Sequence, residues 1–462
     1  MPFDSKIAEI RFGCGLSPVI SGPTDTNQMI SAATSPDTAA TRFPIETFET
    51  FTQRVSHVVE QVQLRKKNRG SPEALAAKKS IRVTNKEARI AQAQWLGQHI
   101  NRWVWTDSPL RERLTLFWAD HFTATGKSGV IRRAASPYVE EAIRPRILGR
   151  FEDLLLASVL HPLMIHYLDQ DRSVGENSVQ AAKGGRLKGL NENLAREVLE
   201  LHTLGVSAAY DQVDVRELAE LFTGLSHSRE MELKFRKQFA EPGSETVMGT
   251  AYGGTKNPHI RDVEAVLRDL ARHPATARHI ASKLAVHFIS DTPDPDLVAA
   301  LERRFLETDG DLAAVTQALL DHPAAWSPSP ANVKPAFNFV ASALRALALP
   351  PDALGTLEER KMRRLFVQPM VQMGHVWEKP NGPDGLPEED AAWIIPQGVA
   401  ARLQWAVTMP QQLMDVPPDP RGFVTTALGP FTTPATEFAA MAAESRWDGI
   451  GLVLASPAFQ RT

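Results

Sequence analysis

Three side chains in this sequence have the types and the spacing to hold a divalent metal ion. Glu197 and Glu200 are three residues apart in the segment NENLAREVLELHTLG, so on a helix their carboxylates occupy neighbouring positions. Metal sites in helix bundles combine such carboxylates with a histidine from another helix, and His121 is the candidate third ligand. The set predicts a metal-assisted hydrolase or oxidoreductase in which Asp120, beside that histidine, acts as acid or base.

A second interpretation gives the same helix a structural role. Arg196 stands four residues after Glu192 and four before Glu200, a spacing that produces ion pairs along a helix. In the metal hypothesis, Arg196 or Asn193 orients the substrate. In the structural interpretation, Arg196 neutralises the carboxylates of Glu197 and Glu200 and leaves no room for an ion. A buried polar network and a solvated helix face both stay open for the polar residues of this segment, which are Asn191, Glu192, Asn193, Arg196, Glu197 and Glu200.

The segment from Asn191 to Gly205 is predicted to be a capped amphipathic helix. Its apolar residues recur at helical spacing on one face, and glycine is the commonest residue just beyond a helix C-terminus. His202 falls among the apolar positions near the end of the helix. Although it belongs to the polar motif in the linear sequence, its position predicts a core or capping histidine and not a ligand.

The elements that must position these residues are also predicted to be helices. Apolar residues after Pro109 recur at i, i+4 and i+7, which places FWADHF near the end of a core-facing helix with His121 pointing inward. Asp211 is predicted to cap a later helix, with Asp214 at its third position. Because no convincing series of alternating strands is found, the predicted fold is all-α, a multi-helix bundle-like globular fold with long irregular loops and little or no sheet.

The chain is predicted to consist of a short N-terminal element followed by one large helical domain. Residues 1–45 form that element with a loop or surface arm, because 21–44 is rich in Ser, Thr, Pro and Asp. Residues 46–462 form the domain, with a candidate sub-boundary in a loop at 226–258. A second long loop, HVWEKPNGPDGLP at His375–Pro387, is of the kind that is either functional or disordered.

Composition excludes several classes of protein. The 462 residues carry a formal net charge of −3, which gives no global field for nucleic acid. The single cysteine, Cys14, cannot form an internal disulfide, and the charged N-terminus lacks the apolar core of a signal peptide. No apolar run is long enough to span a membrane, so a cytoplasmic location is expected.

Common catalytic signatures are also missing from the sequence. The chain has no HExxH, GxSxG, Walker or CxxC motif, so zincin, α/β-hydrolase, P-loop and thiol-redox chemistry lack their usual sequence support. Cys14 has no identifiable partner and is predicted to be a small buried residue. The metal hypothesis therefore depends on the polar helix and His121 alone.

Long stretches of the chain resemble the bacterial family catalogued as domain of unknown function 1800. The central likeness is NENLAREVLELHTLGV followed by YDQVDVRELAELFTG, and FWADHF is similar to the family's Phe-Trp-x-x-His-Phe element. The likeness extends to RFGCGLSP near the start, to HPATARHIASKLAVHFI and to the terminal SPAFQR. The resemblance covers almost the whole chain, and its central motif is long enough to be highly specific.

The resemblance implies that the protein binds a partner protein, and it implies little about a chemical reaction. Members of that family are often encoded beside sulfatase-like proteins, which suggests such a protein as a binding partner. The retained polar residues of the helix look like a network packed against another helix. This chain lacks the family's His-Asp pair before a Lys-x-x-x-Gly turn, and has Phe239-Ala240-Glu241-Pro242 there. The sequence thus predicts a structural or partner-binding, scaffolding role, with the metal-assisted enzyme using Glu197, Glu200 and His121 as the alternative.

Overall fold

The computed structural model describes residues 3–184, 189–255, 258–355 and 357–462. It is predominantly helical, as the sequence predicts. Within the described residues, no helix combines the length and the apolar character needed to cross a membrane.

The first half of the chain is a succession of helices that differ widely in length. Their bounds are α1 Ser5–Arg11, α2 Thr26–Thr34, α3 Thr38–Arg42, α4 Phe48–Lys67, α5 Pro72–Trp105, α6 Pro109–His121, α7 Ala135–Tyr138, α8 Phe151–Val159, α9 Pro162–Tyr167, α10 Val179–Ala182, α11 Asn193–Glu197 and α12 Gln212–Leu221. Wider π-helical turns occupy Val139–Ile143, Val198–His202 and Arg363–Val367. Short 3-10 turns occupy Val130–Arg133, Arg144–Arg146, Gln170–Arg172, Pro323–Trp326, Pro410–Gln412 and Gly429–Phe431.

Two antiparallel hairpins follow α12, and helices resume after them. The strands are β1 Leu225–His227, β2 Leu233–Phe235, β3 Gly243–Val247 and β4 Thr250–Thr255, with Leu225 opposite Phe235 and Val247 opposite Thr250. The later helices are α13 Ile260–Ala271, α14 Pro274–Phe288, α15 Pro295–Glu307, α16 Leu312–Asp321, α17 Ala336–Ala346, α18 Asp352–Gly355, α19 Glu359–Met362, α20 Gln368–Gln372, α21 Asp390–Trp393, α22 Pro396–Thr408, α23 Pro420–Leu428, α24 Pro434–Ala442, α25 Arg446–Ala455 and α26 Pro457–Gln460.

The segment 21–44, predicted to be a loop or arm, contains the helices α2 and α3. Each begins at an aspartate whose carboxylate accepts a backbone N–H, Asp25 from Gln28 at 2.8 Å and Asp37 from Ala40 at 2.9 Å. Met29 and Ala33 of α2 are buried in the core. The loop interpretation is wrong because capping stabilises helices too short to show a sustained apolar period.

The predicted helix Asn191–Gly205 is shorter and less regular than expected. Only α11 is α-helical, and the chain then widens into the π-helical turn Val198–His202. Gly205 lies beyond the helix end with φ +89°, the left-handed backbone predicted there. His202 is fully buried, as its place among the apolar residues predicts. The spacing of apolar residues does not distinguish a π-helical turn from an α-helical one, so the sequence could not predict this turn.

Two hydrophobic cores meet at the buried side chain of Arg345 on α17. Phe12 belongs to one core and Trp103, at the end of α5, belongs to the other. The Arg345 guanidinium donates hydrogen bonds to the carbonyls of Gly15 at 2.8 Å and Trp103 at 3.1 Å. It also contacts the Glu9 carboxylate of α1 at 3.1 Å, and both side chains are almost completely buried. Arg345 therefore joins the N-terminal helix to both cores.

Replacing Arg345 by methionine is expected to lower the free energy of unfolding by about 3 to 5 kcal/mol. The change leaves Glu9 buried without its ionic partner and several backbone carbonyls without donors. Equilibrium denaturation with urea measures the loss. The exposed Arg303→Met on α15 is the control and should change stability by less than about 0.5 kcal/mol. Equal effects of the two variants would contradict a structural role for Arg345.

Candidate functional site

Helix α6 presents one face to a partly open cavity of about 140 Å³. The helix begins with Pro109 at its first position, where the missing N–H costs nothing, and it ends at His121. Arg113 and Asp120 lie seven residues apart, which is two helical turns, and both line the cavity. The Leu116 side chain between them also lines it and supplies an apolar surface.

The long loop predicted to be functional or disordered covers this cavity. We call residues His375–Glu388 the cavity loop. Eight of its residues line the cavity, namely His375, Val376, Trp377, Glu378, Pro380, Leu386, Pro387 and Glu388. The other walls come from the last third of α5, the end of α14 and the region of α7 and α17, with lining side chains His99, Ser136, Tyr138, His287 and Asn338.

Asp120 is held by the backbone of the cavity loop. The Leu386 N–H lies 2.9 Å from its Oδ1 and 3.1 Å from its Oδ2. Burial raises the pKa of the Asp120 carboxyl to about 7, and the nearby charges of Glu388 and Asp384 add to the rise against the Leu386 N–H and Lys283. Asp120 therefore carries its proton for part of the time at neutral pH.

Glu388 and His287 form a hydrogen-bonded pair on the same wall. His287 Nδ1 lies 3.0 Å from Glu388 Oε2. Burial favours the protonated carboxyl, but the charges of His287, Lys283 and Arg113 outweigh it and lower the pKa of Glu388. An ionised carboxylate can only accept, so Nδ1 carries the hydrogen of this bond. The pair orients the imidazole ring in the cavity wall.

A second group of hydrogen-bonded side chains also lines the cavity. The Ser136 hydroxyl donates a hydrogen bond to the Glu378 carboxyl, and it lies 3.1 Å from His99 Nε2. Gln92 donates to the other oxygen of Glu378 at 3.0 Å. Glu378 has φ +56°, which is unfavourable for a residue with a side chain, and burial raises its pKa. This strained backbone turns the carboxyl inward.

The three predicted metal ligands are not brought together. His121 is 2% exposed and its Nε2 lies 3.3 Å from the backbone carbonyl of His202. Glu197 and Glu200 are half-buried on the other side of that helical segment. Among the described residues, the group of potential ligands whose atoms all lie within 4.8 Å of one another is Glu217, Glu220 and Glu245. The metal hypothesis stays a prediction, and the structure does not place His121, Glu197 and Glu200 close enough together to hold one ion.

The polar residues of α11 make an ion-pair network that is only partly enclosed. Arg196 contacts Glu192 and Glu200 at 3.2 Å each, and its side chain is 39% exposed. Gln212 joins the network by accepting from Arg196 at 3.0 Å and donating to Glu192 at 2.9 Å. The spacing argument therefore places the pairs correctly, whereas the expectation of a buried network overestimates the burial.

The other members of the predicted set have separate roles. Asn191 donates to the carbonyls of Leu168 and Asp169, which ties the start of α11 to the end of α9. Asn193 is exposed. Burial, together with the charges of Glu200 and Asp384, raises the pKa of Glu197 to about 7. Of the predicted catalytic residues Asp120, Asn193 and Arg196, only Asp120 lines the cavity.

Sequence reasoning missed most of the residues that line the cavity. Arg113, Ser136, His287 and Glu388 are separated along the chain and belong to no recognisable motif. The usable signals were the Asp-His pair in FWADHF and the length of the Pro- and Gly-rich loop. The fold is needed to show that these two features meet.

Gly385 sets how closely the cavity loop approaches Asp120. A Cβ at this position, where φ is +84°, would lie 2.5 Å from Asp120 Oδ2. Gly385→Ala should therefore displace the loop and speed hydrogen exchange of the Leu386 amide. Gly374→Ala is a matched control, because Gly374 also has a positive φ, +93°, but no described atom lies within 4 Å of its Cβ position. This control variant should lose about 1 to 2 kcal/mol of folding free energy from backbone strain alone. Equal exchange in both variants would contradict this account.

Comparison with known proteins gives a family without an assigned activity. No curated protein and no solved structure matches the chain. A family model with the description "Protein of unknown function (DUF1800)" matches residues 19–461. That match includes every element of the cavity, from the end of α5 to the cavity loop. The chain therefore belongs to the family of proteins of unknown function called DUF1800.

Proposed function

We propose that this protein is an enzyme that binds a small organic molecule in the α6 cavity and exchanges a proton with it through Asp120. The observation that carries the proposal is that two carboxyl groups, Asp120 and Glu388, line the same cavity in environments that favour different protonation states. Their environments move the two pKa values apart. Such a separation is the usual arrangement of an acid–base pair in an active site.

The two carboxyl groups suit different tasks. Asp120, with a pKa of about 7, can both donate and accept a proton near neutral pH, which is where general acid–base catalysis is most efficient. Glu388 stays ionised and orients His287, whose Nε2 is then the free nitrogen of the ring. The cavity size is close to that of cavities that hold a benzene-sized molecule, which limits the substrate to a small compound.

The roles predicted from the sequence stand beside this proposal. The scaffolding role, the sulfatase-like partner and the cytoplasmic location stay predictions. The metal-assisted hydrolase or oxidoreductase with Glu197, Glu200 and His121 shares only Asp120 with the cavity. We favour the cavity because several polar groups line it together, whereas Glu200 and Arg196 neutralise each other outside it.

The pH dependence of stability tests the state of Asp120. Because the native pKa of about 7 exceeds the ordinary value of 3.8, stabilisation by the protonated group is complete below pH 4 and is lost as the pH rises to about 7. Asp120→Asn keeps an acceptor for the Leu386 N–H and has no charge. Relative to the wild type, it should gain roughly 2 to 4 kcal/mol between pH 4 and pH 8 in urea denaturation.

The matched variant Glu388→Gln should show the opposite trend. The pKa of Glu388 is lowered, so its stabilisation is present at neutral pH and is lost in acid. This variant should be less stable than the wild type by about 1 to 2 kcal/mol at pH 7, with the difference vanishing at low pH. Parallel pH profiles for the two variants would contradict the assignment of a raised pKa to Asp120 and a lowered pKa to Glu388.

Proton transfer itself can be followed in heavy water. We expect the wild-type protein, incubated with a panel of small esters, amides and carbon acids in D2O, to produce hydrolysis or deuterium exchange detected by proton NMR. Asp120→Asn should slow that reaction by about 100-fold or more. Glu389→Gln, at an exposed neighbouring carboxylate, is the control and should leave the rate unchanged. An equal rate in Asp120→Asn and the wild type would refute the role of Asp120.

A further inference from the structure

Arg113 is a buried cation in the wall of the α6 cavity that donates no hydrogen bond to any described residue. Its side chain is 3% exposed, and its guanidinium lies over the Phe288 ring at 5.3 Å from the centroid. Within the part of the chain that the structure describes, no atom accepts a hydrogen bond from it, and its Nε is completely buried. Burying a charge in this way is costly unless something else pairs with it.

The other buried arginines of the chain show how unusual this is. Arg102 binds Glu140, and Arg144 binds both Glu112 and Asp37. The remaining ones, which are Arg11, Arg111, Arg345 and Arg402, each donate to backbone carbonyls, and some also contact a carboxylate or an amide oxygen. Only Arg113 combines burial, a place in the cavity wall and no described acceptor.

Nearby acids do not supply the missing partner. Glu388 is close enough to influence Arg113 electrostatically, but its carboxylate contacts His287 and is not within 4.0 Å of the guanidinium. Burial lowers the pKa of Arg113 to about 10, so the side chain is still charged at neutral pH.

The chemistry of a guanidinium indicates which ligand would pair with Arg113. Its pair of N–H donors matches the two oxygens of a carboxylate.

We infer that the ligand of the cavity is a small organic carboxylate whose anionic end binds Arg113. Seven residues of helix correspond to about 10 Å along the α6 axis between Arg113 and Asp120. Leu116 lines the cavity between them and would contact an apolar middle part of the molecule. Arg113 is the one permanently charged cation in the described cavity wall, so a singly charged carboxylate fits better than a doubly charged phosphate.

This inference deepens the proposed function but can fail separately from it. It rests on the proposed function only for what happens at Asp120, whereas binding at Arg113 requires no reaction. Asp120→Asn should therefore retain carboxylate binding while losing turnover. Carboxylate binding with no reaction on any substrate would overturn the acid–base role alone.

Calorimetric titration of the full chain with hexanoate and phenylacetate tests the inference. Both should bind the wild type at least tenfold more tightly than hexanamide and phenylacetamide, which have nearly the same shape without the charge. Arg113→Met should abolish that preference, and Arg113→Lys should recover part of it. Methyl phosphate serves as the arm for a phosphate ligand, and tighter binding of methyl phosphate than of hexanoate would overturn the carboxylate assignment.

The stability of the variant without ligand gives a second, independent readout. Since Arg113 donates no hydrogen bond to the part of the chain that the structure describes, Arg113→Met should leave the melting temperature unchanged or raise it, unlike Arg345→Met, which should lower it. A large fall in the melting temperature of Arg113→Met would show that the guanidinium is structural. Equal binding of acids and amides, no binding of either carboxylate, or unchanged binding by Arg113→Met would each overturn the inference.

Discussion

The burial of the Arg345 guanidinium is the constraint on which the position of the cavity depends. Besides Gly15 and Glu9, Arg345 donates to the carbonyls of Trp103, Val104 and, at 3.4 Å, Thr106. These atoms belong to the last turn of α5 and to the connection into α6. Because α6 starts only three residues later, the same side chain that joins the two cores also fixes where α6 begins. The direction of the helix then determines where its cavity face points.

The cavity loop completes the site by polar contacts and not by apolar packing alone. It is attached to α6 by the Leu386 N–H at Asp120, to α14 by Glu388 at His287, and to α7 by Glu378 at Ser136. Each contact uses a side chain or amide that also lines the cavity. A Pro- and Gly-rich segment with few apolar residues would gain little from burial. These contacts explain why the segment is ordered here. The hydrogen bonds that attach the loop are made by the same residues that form the cavity wall.

Local features of the sequence predicted the elements, but not their meeting points. The apolar period after Pro109 located α6 and the inward side chain of His121, and Asp211 with Asp214 forms the predicted capping box at the start of α12. Ion pairs of Arg196 follow from spacing within a single helix. Whether that helix face is covered depends on distant residues, and no sequence pattern places Glu388 beside His287, 101 residues earlier. The metal hypothesis joined His121 to Glu197 for the same reason: helical spacing fixes a direction on one helix but no distance to another.

Three departures from ordinary packing occur around the same cavity. Arg113 is buried with no acceptor among the described residues, Glu378 has an unfavourable positive φ, and Asp120 is held where its charged form is destabilised. Each costs free energy of folding, of order 1 to 3 kcal/mol for the strained backbone alone. Elsewhere the chain pairs buried charges well, as Arg144 with Glu112 shows. A random scatter of imperfections would not place all three around one cavity, whereas a binding site needs an unpaired donor, a fixed carboxyl and a group that can change its protonation state. The coincidence of these costs, more than any single residue, supports the proposal that the protein acts at this cavity.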